Sequence, residues 1–163
     1  MKKILIVLLF SSAVFAAPAQ KKSEHHGHWM GAGGLGFSVG PGTFLLAPQL
    51  EYAFRHNLLW GVAGQVGFGE QTLFTLSATG RYLVQGIEVP HLKPFVEGGL
   101  GLAGFTGQLA TQSSIGFHIL LGLGADYQIT PDISLGSVFR ANFAPPAKTF
   151  FFSWPVIVGR MRL

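Results

Sequence analysis

The chemistry available to this sequence rests on a small set of charged residues that occupy matching positions in separate segments. Within its own segment, each of these side chains falls on the same phase of a two-residue alternation, so all of them point to one face of extended strands. The set contains Glu51, Glu97 and Asp126, together with Arg55, Arg81, Arg140 and Arg160. An unpaired buried charge costs several kcal/mol, so carboxylates and guanidiniums on a shared inner face are expected to pair. These residues predict an internal ion-pair network, which acts either as a gate or simply as a plug.

Three histidines near the N-terminus form a second group with possible chemistry. His25, His26 and His28 are close enough in sequence to share a zinc or copper ion. A closed metal site needs about four ligands, and the chain has no cysteine to complete one. A solvated tail near lipid headgroups explains the same residues, so we predict no metal and no cofactor.

His118 is the remaining residue that could act as a catalytic base. A hydrolase needs a nucleophile, a base and an orienting acid in one place. His118 with Ser77 or Thr75 is the grouping available at the outer rim, where Glu70 on a loop is the nearest acid that the sequence offers. We interpret His118 as a structural residue of the interior and predict that the protein is not an enzyme.

The segment 44–55 shows most clearly the kind of element that must position these side chains. Its even positions are mostly bulky and apolar, and its odd positions are mostly small, polar or charged. Such alternation is typical of a β-strand, and the length suits a strand that crosses a bilayer at a tilt. The pattern repeats along the chain and predicts eight antiparallel strands in an up-and-down meander.

A few residues interrupt the alternation. Pro48 and Pro155 each remove a ladder donor inside a strand, and both suggest β-bulges. The large residues that fall on the polar phase are Leu45, Phe95, Leu120 and Trp154.

The apolar face of the predicted barrel must be its outer face. An eight-stranded barrel is only just wide enough for side chains to fill, so roughly thirty large apolar groups cannot lie inside it. A soluble lipocalin-like barrel would need a charged outer face, whereas only 11% of the residues are charged. The sequence therefore predicts an all-β transmembrane barrel, in which closure satisfies the backbone within hydrocarbon.

Amphipathic aromatic residues give an independent check on this topology. With the N-terminus at the periplasmic rim, five of them fall near that rim, where a barrel has its aromatic girdle. They are Trp29, Tyr52, Trp60, Tyr82 and Tyr127. The same topology places residues 40–42, Glu70, 107–114 and 144–148 on the outside of the cell.

The beginning of the chain has the pattern of a secretory signal peptide. Lys2 and Lys3 precede an apolar run that ends near Phe15 and is followed by small residues. The run is too short for a membrane anchor, so we predict cleavage near residue 19 and export through the periplasm. Residues 20–28 form a polar periplasmic segment and residues 29–163 form the barrel. Cleavage would remove Lys2 and Lys3 and lower the net charge from +4 to about +2, which is too small to indicate nucleic acid.

Three stretches resemble the small eight-stranded outer-membrane β-barrels of Gram-negative bacteria, of the OmpA/OmpX-like and opacity-protein-like kind. They are 93–101 (KPFVEGGLG), 127–132 (YQITPD) and the terminal strand 156–163. Family members usually end in Phe, whereas this chain ends in Leu163, and its turns are shorter than theirs. The resemblance implies a monomer in the bacterial outer membrane whose partners are outer-membrane lipid and the assembly machinery.

Three functions remain open from the sequence. The first is a non-enzymatic barrel that contributes to envelope structure or surface properties. The second is a lipid-modifying enzyme, and the third is a narrow gated channel.

Overall fold

A computed structural model of the protein describes residues 27–40, 42–55, 57–69, 71–85, 89–107, 114–145 and 149–163. Eight β-strands account for most of these residues. Their bounds are β1 His28–Val39, β2 Thr43–Arg55, β3 Leu58–Gly69, β4 Gln71–Leu83, β5 Leu92–Gly107, β6 Ser114–Gln128, β7 Ile133–Ala144 and β8 Thr149–Arg162. The predicted signal peptide, and His25 and His26, lie outside the described residues, while His28 begins β1.

The strands form a closed antiparallel barrel in sequence order, and β1 pairs with β8. The predicted fold class is therefore confirmed. Closure leaves no edge strand, which is the condition for a sheet to reside in hydrocarbon. No helix among the described residues is long and apolar enough to cross a membrane.

The strands turn most of their large apolar side chains outward. On β2, Phe44 and Leu50 are exposed, whereas Thr43, Gln49 and Glu51 on the other phase of the strand are buried. The outer surface is thus a nearly continuous apolar band, as the alternation predicts, and the polar phase faces the interior.

The interior also contains apolar side chains, in two clusters. Each even-numbered strand begins at what we call the loop end of the barrel, which carries the β1–β2, β3–β4, β5–β6 and β7–β8 connections. One cluster lies at this end and consists of Leu45, Leu73, Ala103, Phe105, Ala144 and Phe151. The other lies toward the opposite end, the terminal end, and consists of Phe95, Val138 and Val158. Leu45, Phe95 and Leu120, the apparent exceptions to the alternation, therefore fill the interior.

A β-bulge in β8 explains the fourth exception, Trp154. Leu35 pairs with Ile157 and Gly36 pairs with Pro155, so Val156 is an extra residue in β8. The extra residue reverses the phase of the strand, which turns Trp154 outward. The bulge predicted at Pro155 is confirmed. The bulge predicted at Pro48 is wrong, because the register of β2 with β3 is the same on both sides of it and shifts only between Ala53 and Arg55.

The predicted aromatic girdle lies on the outer face near the terminal end. Trp29 is paired with Tyr52, which is paired in turn with Trp60, so three of its rings form a row across adjacent strands. Tyr82 and Tyr127 occupy the same end of β4 and β6.

Candidate functional site: the interior charge network

The interior network consists of Glu51, Arg81, Glu97, Asp126, Arg140 and Arg160, one residue from each of β2, β4, β5, β6, β7 and β8. Inward strand phase brings these six side chains into the same cross-section of the barrel. None is more than 6% exposed. The three carboxylates are matched by three guanidiniums, so the network is neutral in total.

Four of these residues form a closed ring of ion pairs. Arg81 Nη2 lies 3.0 Å from Glu51 Oε1, and Arg81 Nη1 lies 3.5 Å from Asp126 Oδ2. Arg160 closes the ring, since it donates to Asp126 Oδ1 and its Nε lies 3.8 Å from Glu51 Oε2. The ring alternates in charge, which is the arrangement that offsets the desolvation of buried ions.

A second ring shares the Glu51–Arg81 side of the first. Glu97 accepts two hydrogen bonds from Arg140, from Nε and from Nη2, in a bidentate arrangement, and its Oε2 lies 3.9 Å from Arg81. Gln49 completes the ring, because it donates to Glu51 over 2.9 Å and accepts from Arg140 over 3.3 Å. The sequence prediction missed Gln49 because it is uncharged, although it shares the inward phase of Glu51.

The network is packed tightly on its other sides. The ring of Phe95 lies 4.3 Å from the guanidinium carbon of Arg81 and 5.2 Å from that of Arg160, within the range of cation–π attraction. Gly122 leaves room for Glu97, since a Cβ atom at this position would lie 2.6 Å from Glu97 Cγ.

Arg55 is a correction to the predicted network. It shares the inward phase of β2, but β2 ends at this residue after the register shift, and its side chain is exposed. Its guanidinium carbon lies 5.8 Å from the centre of the Phe54 ring, which faces the lipid. The predicted excess of one arginine over the acids is therefore wrong.

A neutral hydrogen-bonded group adjoins the network toward the loop end. His118 is fully buried, with its Nδ1 2.7 Å from Ser77 Oγ and its Nε2 3.0 Å from Asn142 Oδ1. The Asn142 amide nitrogen donates to the backbone carbonyls of Arg140 and Phe151, which can only accept, so its oxygen is the acceptor that faces His118. Nε2 of His118 therefore carries the proton, and Nδ1 accepts from the Ser77 hydroxyl.

The group contains a hydroxyl, that of Ser77, and a base, His118, but no acid that would orient the base. The orienting position is occupied by Asn142, which the sequence prediction did not identify, and Gln65 also donates to its oxygen. The His118 ring stacks on Phe151, a member of the apolar cluster at the loop end. Chemically, the group can hold one tautomer of His118 and polarise Ser77.

Metal binding finds no support in the described part of the chain. No three His, Asp or Glu side chains come together there as ligands for an ion. The interior acids are instead occupied by arginines.

The closed barrel, its apolar exterior and its paired interior charges define the class of protein: an eight-stranded barrel of the outer-membrane kind. No family model matches the chain, and no curated protein matches it. Solved structures do match. One is Neisserial surface protein A, with 14% identity and a TM-score of 0.65 over 84% of this chain and 97% of that one.

Two further solved structures have the same fold. The N-terminal β-barrel domain of Pseudomonas aeruginosa OprF has 13% identity and a TM-score of 0.67, over 85% of this chain and 100% of that one. The outer-membrane enzyme PagL has 17% identity and a TM-score of 0.55, over 82% of this chain and 99% of that one. The resemblance predicted from the sequence is confirmed at the level of the fold, and the match supports the predicted location in the bacterial outer membrane.

Proposed function

We propose that this protein is a closed, non-enzymatic barrel that contributes to the structure or surface properties of the outer membrane, with its interior plugged by the ion-pair network. The observation that carries the proposal is the double ring of paired charges across the interior. Six buried ionic side chains and Gln49 occupy the cross-section through which an ion would have to pass.

The apolar cluster at the loop end supports the same function. It places Leu45, Leu73, Phe105 and Phe151 across the interior between the loops and the network. A hydrated ion would have to shed water to pass these side chains, at a cost that apolar groups do not offset. A plug, rather than a gate, is the simpler role for two successive barriers.

Conductance in planar bilayers tests this proposal. The wild-type barrel is expected to give no stable open state. Glu51→Ala, which opens both rings at their shared side, is expected to give brief or noisy currents at most, because the apolar cluster remains. A large, stable open state in the wild type would instead promote the gated channel to first place.

The Ser77–His118–Asn142 group favours a second function, that of a lipid-modifying enzyme. The Ser77 hydroxyl is oriented toward an acceptor nitrogen at 2.7 Å, as a nucleophile and its base would be. Against this function stand the burial of His118 and the amide in place of an orienting carboxylate.

Lipid profiles of cells with and without the protein decide between the two functions. We expect the profiles to be identical, and His118→Ala to leave them unchanged while it destabilises the barrel. A change in lipid composition that requires both His118 and Ser77 would overturn the non-enzymatic proposal.

A further inference from the structure

A groove lies on the outer face of the barrel near the loop end, where β1 runs between β8 and β2. It has a volume of about 450 Å³, within the size range of small-ligand sites. Leu35 and Phe37 of β1 and Phe44 of β2 line it with exposed side chains, so the groove opens toward hydrocarbon and not toward the interior. Gly42, in the β1–β2 connection, extends it to the rim of the barrel.

The β-bulge of β8 forms one wall of this groove. In a regular strand, consecutive side chains point to opposite faces. Val156 and Ile157 are consecutive, yet they are 36% and 55% exposed and both line the groove. The extra residue at the bulge therefore turns two neighbouring apolar side chains to the lipid-facing side. Leu35, which pairs with Ile157, continues the apolar surface onto β1.

The lining of the groove is almost entirely apolar. None of the described residues that line it is charged. The two lining residues with hydroxyl groups, Ser38 and Thr43, are buried, and their oxygens lie 2.7 Å apart in a hydrogen bond with each other. A headgroup, a sugar or a peptide would leave its polar atoms without partners here, at a cost in free energy. A hydrocarbon chain has no such atoms and matches the lining.

The distribution of charge favours a zwitterionic phospholipid as the source of this chain. Among the described residues, four Asp, Lys or Arg side chains lie outside the interior network, and all four are at the terminal end: Arg55, Lys93, Asp132 and Arg162. The described part of the loop end, where the groove opens, thus offers no Lys or Arg to the phosphates of a polyanionic lipid. A zwitterionic headgroup is neutral and can remain in water at the rim.

We propose that the groove binds one acyl chain of a zwitterionic phospholipid, which enters from the loop end and runs along β1 to the bulge of β8. Residues 35 to 39 span roughly 13 Å of strand, enough to hold a large part of an extended chain. A chain in the groove contacts the wall on several sides, and the added dispersion contacts favour it over a chain beside the flat part of the apolar band. The bulge then has a binding role beyond the structural role proposed for the barrel.

Photochemical cross-linking tests the site in the wild-type barrel. The barrel is reconstituted in phosphatidylcholine vesicles with a small proportion of phosphatidylcholine that carries a diazirine in one acyl chain, and the labelled residues are identified by mass spectrometry of peptides. Leu76 and Leu102, a comparably exposed pair on β4 and β5, are the reference. About ten added carbon contacts amount to roughly a tenfold preference, so we expect Leu35 and Ile157 to be labelled more than the reference pair by that factor. Equal labelling would overturn the proposal.

Filling the groove should remove this preference. At Gly42 a Cβ atom would meet no other atom within 4 Å, so Gly42→Leu adds a side chain without a clash at its first carbon. Gly104→Leu is the matched control, because this glycine has the outward phase of β5 near the loop end and an equally open Cβ position. The enrichment at Ile157 should fall severalfold in Gly42→Leu and persist in Gly104→Leu. An equal effect of the two substitutions would contradict the site.

A second pair of variants keeps the test decisive if Gly42→Leu does not fold. Leu35→Trp enlarges a side chain that lines the groove, and Leu102→Trp makes the same change on the reference strands. The labelling of Ile157 should fall in the first variant alone, and an unchanged ratio would overturn the proposal.

Two further outcomes identify the occupant. Diazirine-labelled phosphatidylglycerol should label the groove no more strongly than phosphatidylcholine does, and stronger labelling would contradict the assignment to a zwitterionic lipid. Cross-links at Leu35 and Ile157 to another barrel, in place of lipid, would show that a second copy covers the groove and would overturn the proposal.

Discussion

Single residues of the interior network depend on one another because none of them can reach water. Glu97 and Arg140 illustrate this most clearly, since they form a bidentate pair and both are at least 96% buried. Loss of one member leaves its partner charged and uncompensated in a medium of low dielectric. Loss of both removes the desolvation cost together with the attraction.

We therefore predict that Glu97→Gln lowers the free energy of unfolding by about 3–5 kcal/mol, and that adding Arg140→Met recovers a large part of that loss. Urea unfolding of the barrel in lipid vesicles, followed by tryptophan fluorescence, measures both variants. Arg55→Gln is the control, since this exposed arginine should change stability by less than about 0.5 kcal/mol. A double variant that is less stable than Glu97→Gln would show that the pair contributes more than it costs.

The sequence was sufficient to predict the strand phase of the charges, but not where each strand ends. Arg55 has the right phase and fails only because β2 ends there after a register shift. Gln49 and Asn142 have the right phase too, yet their roles depend on which neighbour lies across the interior. Which residues face each other across the interior is fixed by the barrel as a whole. Local alternation therefore could not reveal the roles of Gln49 and Asn142.

At the scale of elements, β8 is the strand whose local pattern is most misleading. Above Val156 its inward residues are Phe151 and Ser153, and below it they are Val158 and Arg160. The odd and even phases exchange at the bulge. Trp154 then reaches the outer face, where its Nε1 donates to Ser137 Oγ over 2.8 Å.

We predict that deletion of Val156 abolishes folding of the barrel. A one-residue slip turns every side chain on one side of the deletion to the opposite face, so Trp154 would enter the interior and Ser153 would leave it. Folding is measured as the shift in gel mobility of unboiled samples. Val156→Ala, which keeps the residue count, should fold, and a folded deletion variant would mean that the bulge does not set the register.

The proline beside the bulge could be recognised from the sequence, but the reversal of the inward and outward phases of β8 could not. Pro48 looks the same in the sequence as Pro155, yet it is accommodated without a shift. Of the two prolines, only Pro155 lies beside an extra residue.

For the whole molecule, alternating strands place the connections in two groups at opposite ends of the barrel. We predict that the loop end faces the cell exterior and that both termini are periplasmic. A single cysteine at Gln112, between β5 and β6 and outside the described residues, should react with a membrane-impermeant reagent in intact cells. A cysteine at Asp132, in the β6–β7 connection, should react only after the outer membrane is permeabilised. Equal labelling of the two sites in intact cells would contradict this orientation.

The first ring of the interior network draws on alternate strands around the circumference, with Glu51 on β2, Arg81 on β4, Asp126 on β6 and Arg160 on β8. Without β8 this ring would hold two carboxylates and one guanidinium, and the whole network would hold three carboxylates and two guanidiniums. Arg160 supplies the missing positive charge, and it lies on β8, the strand that closes the wall by pairing with β1. Electroneutrality of the interior and continuity of the wall therefore depend on the same strand.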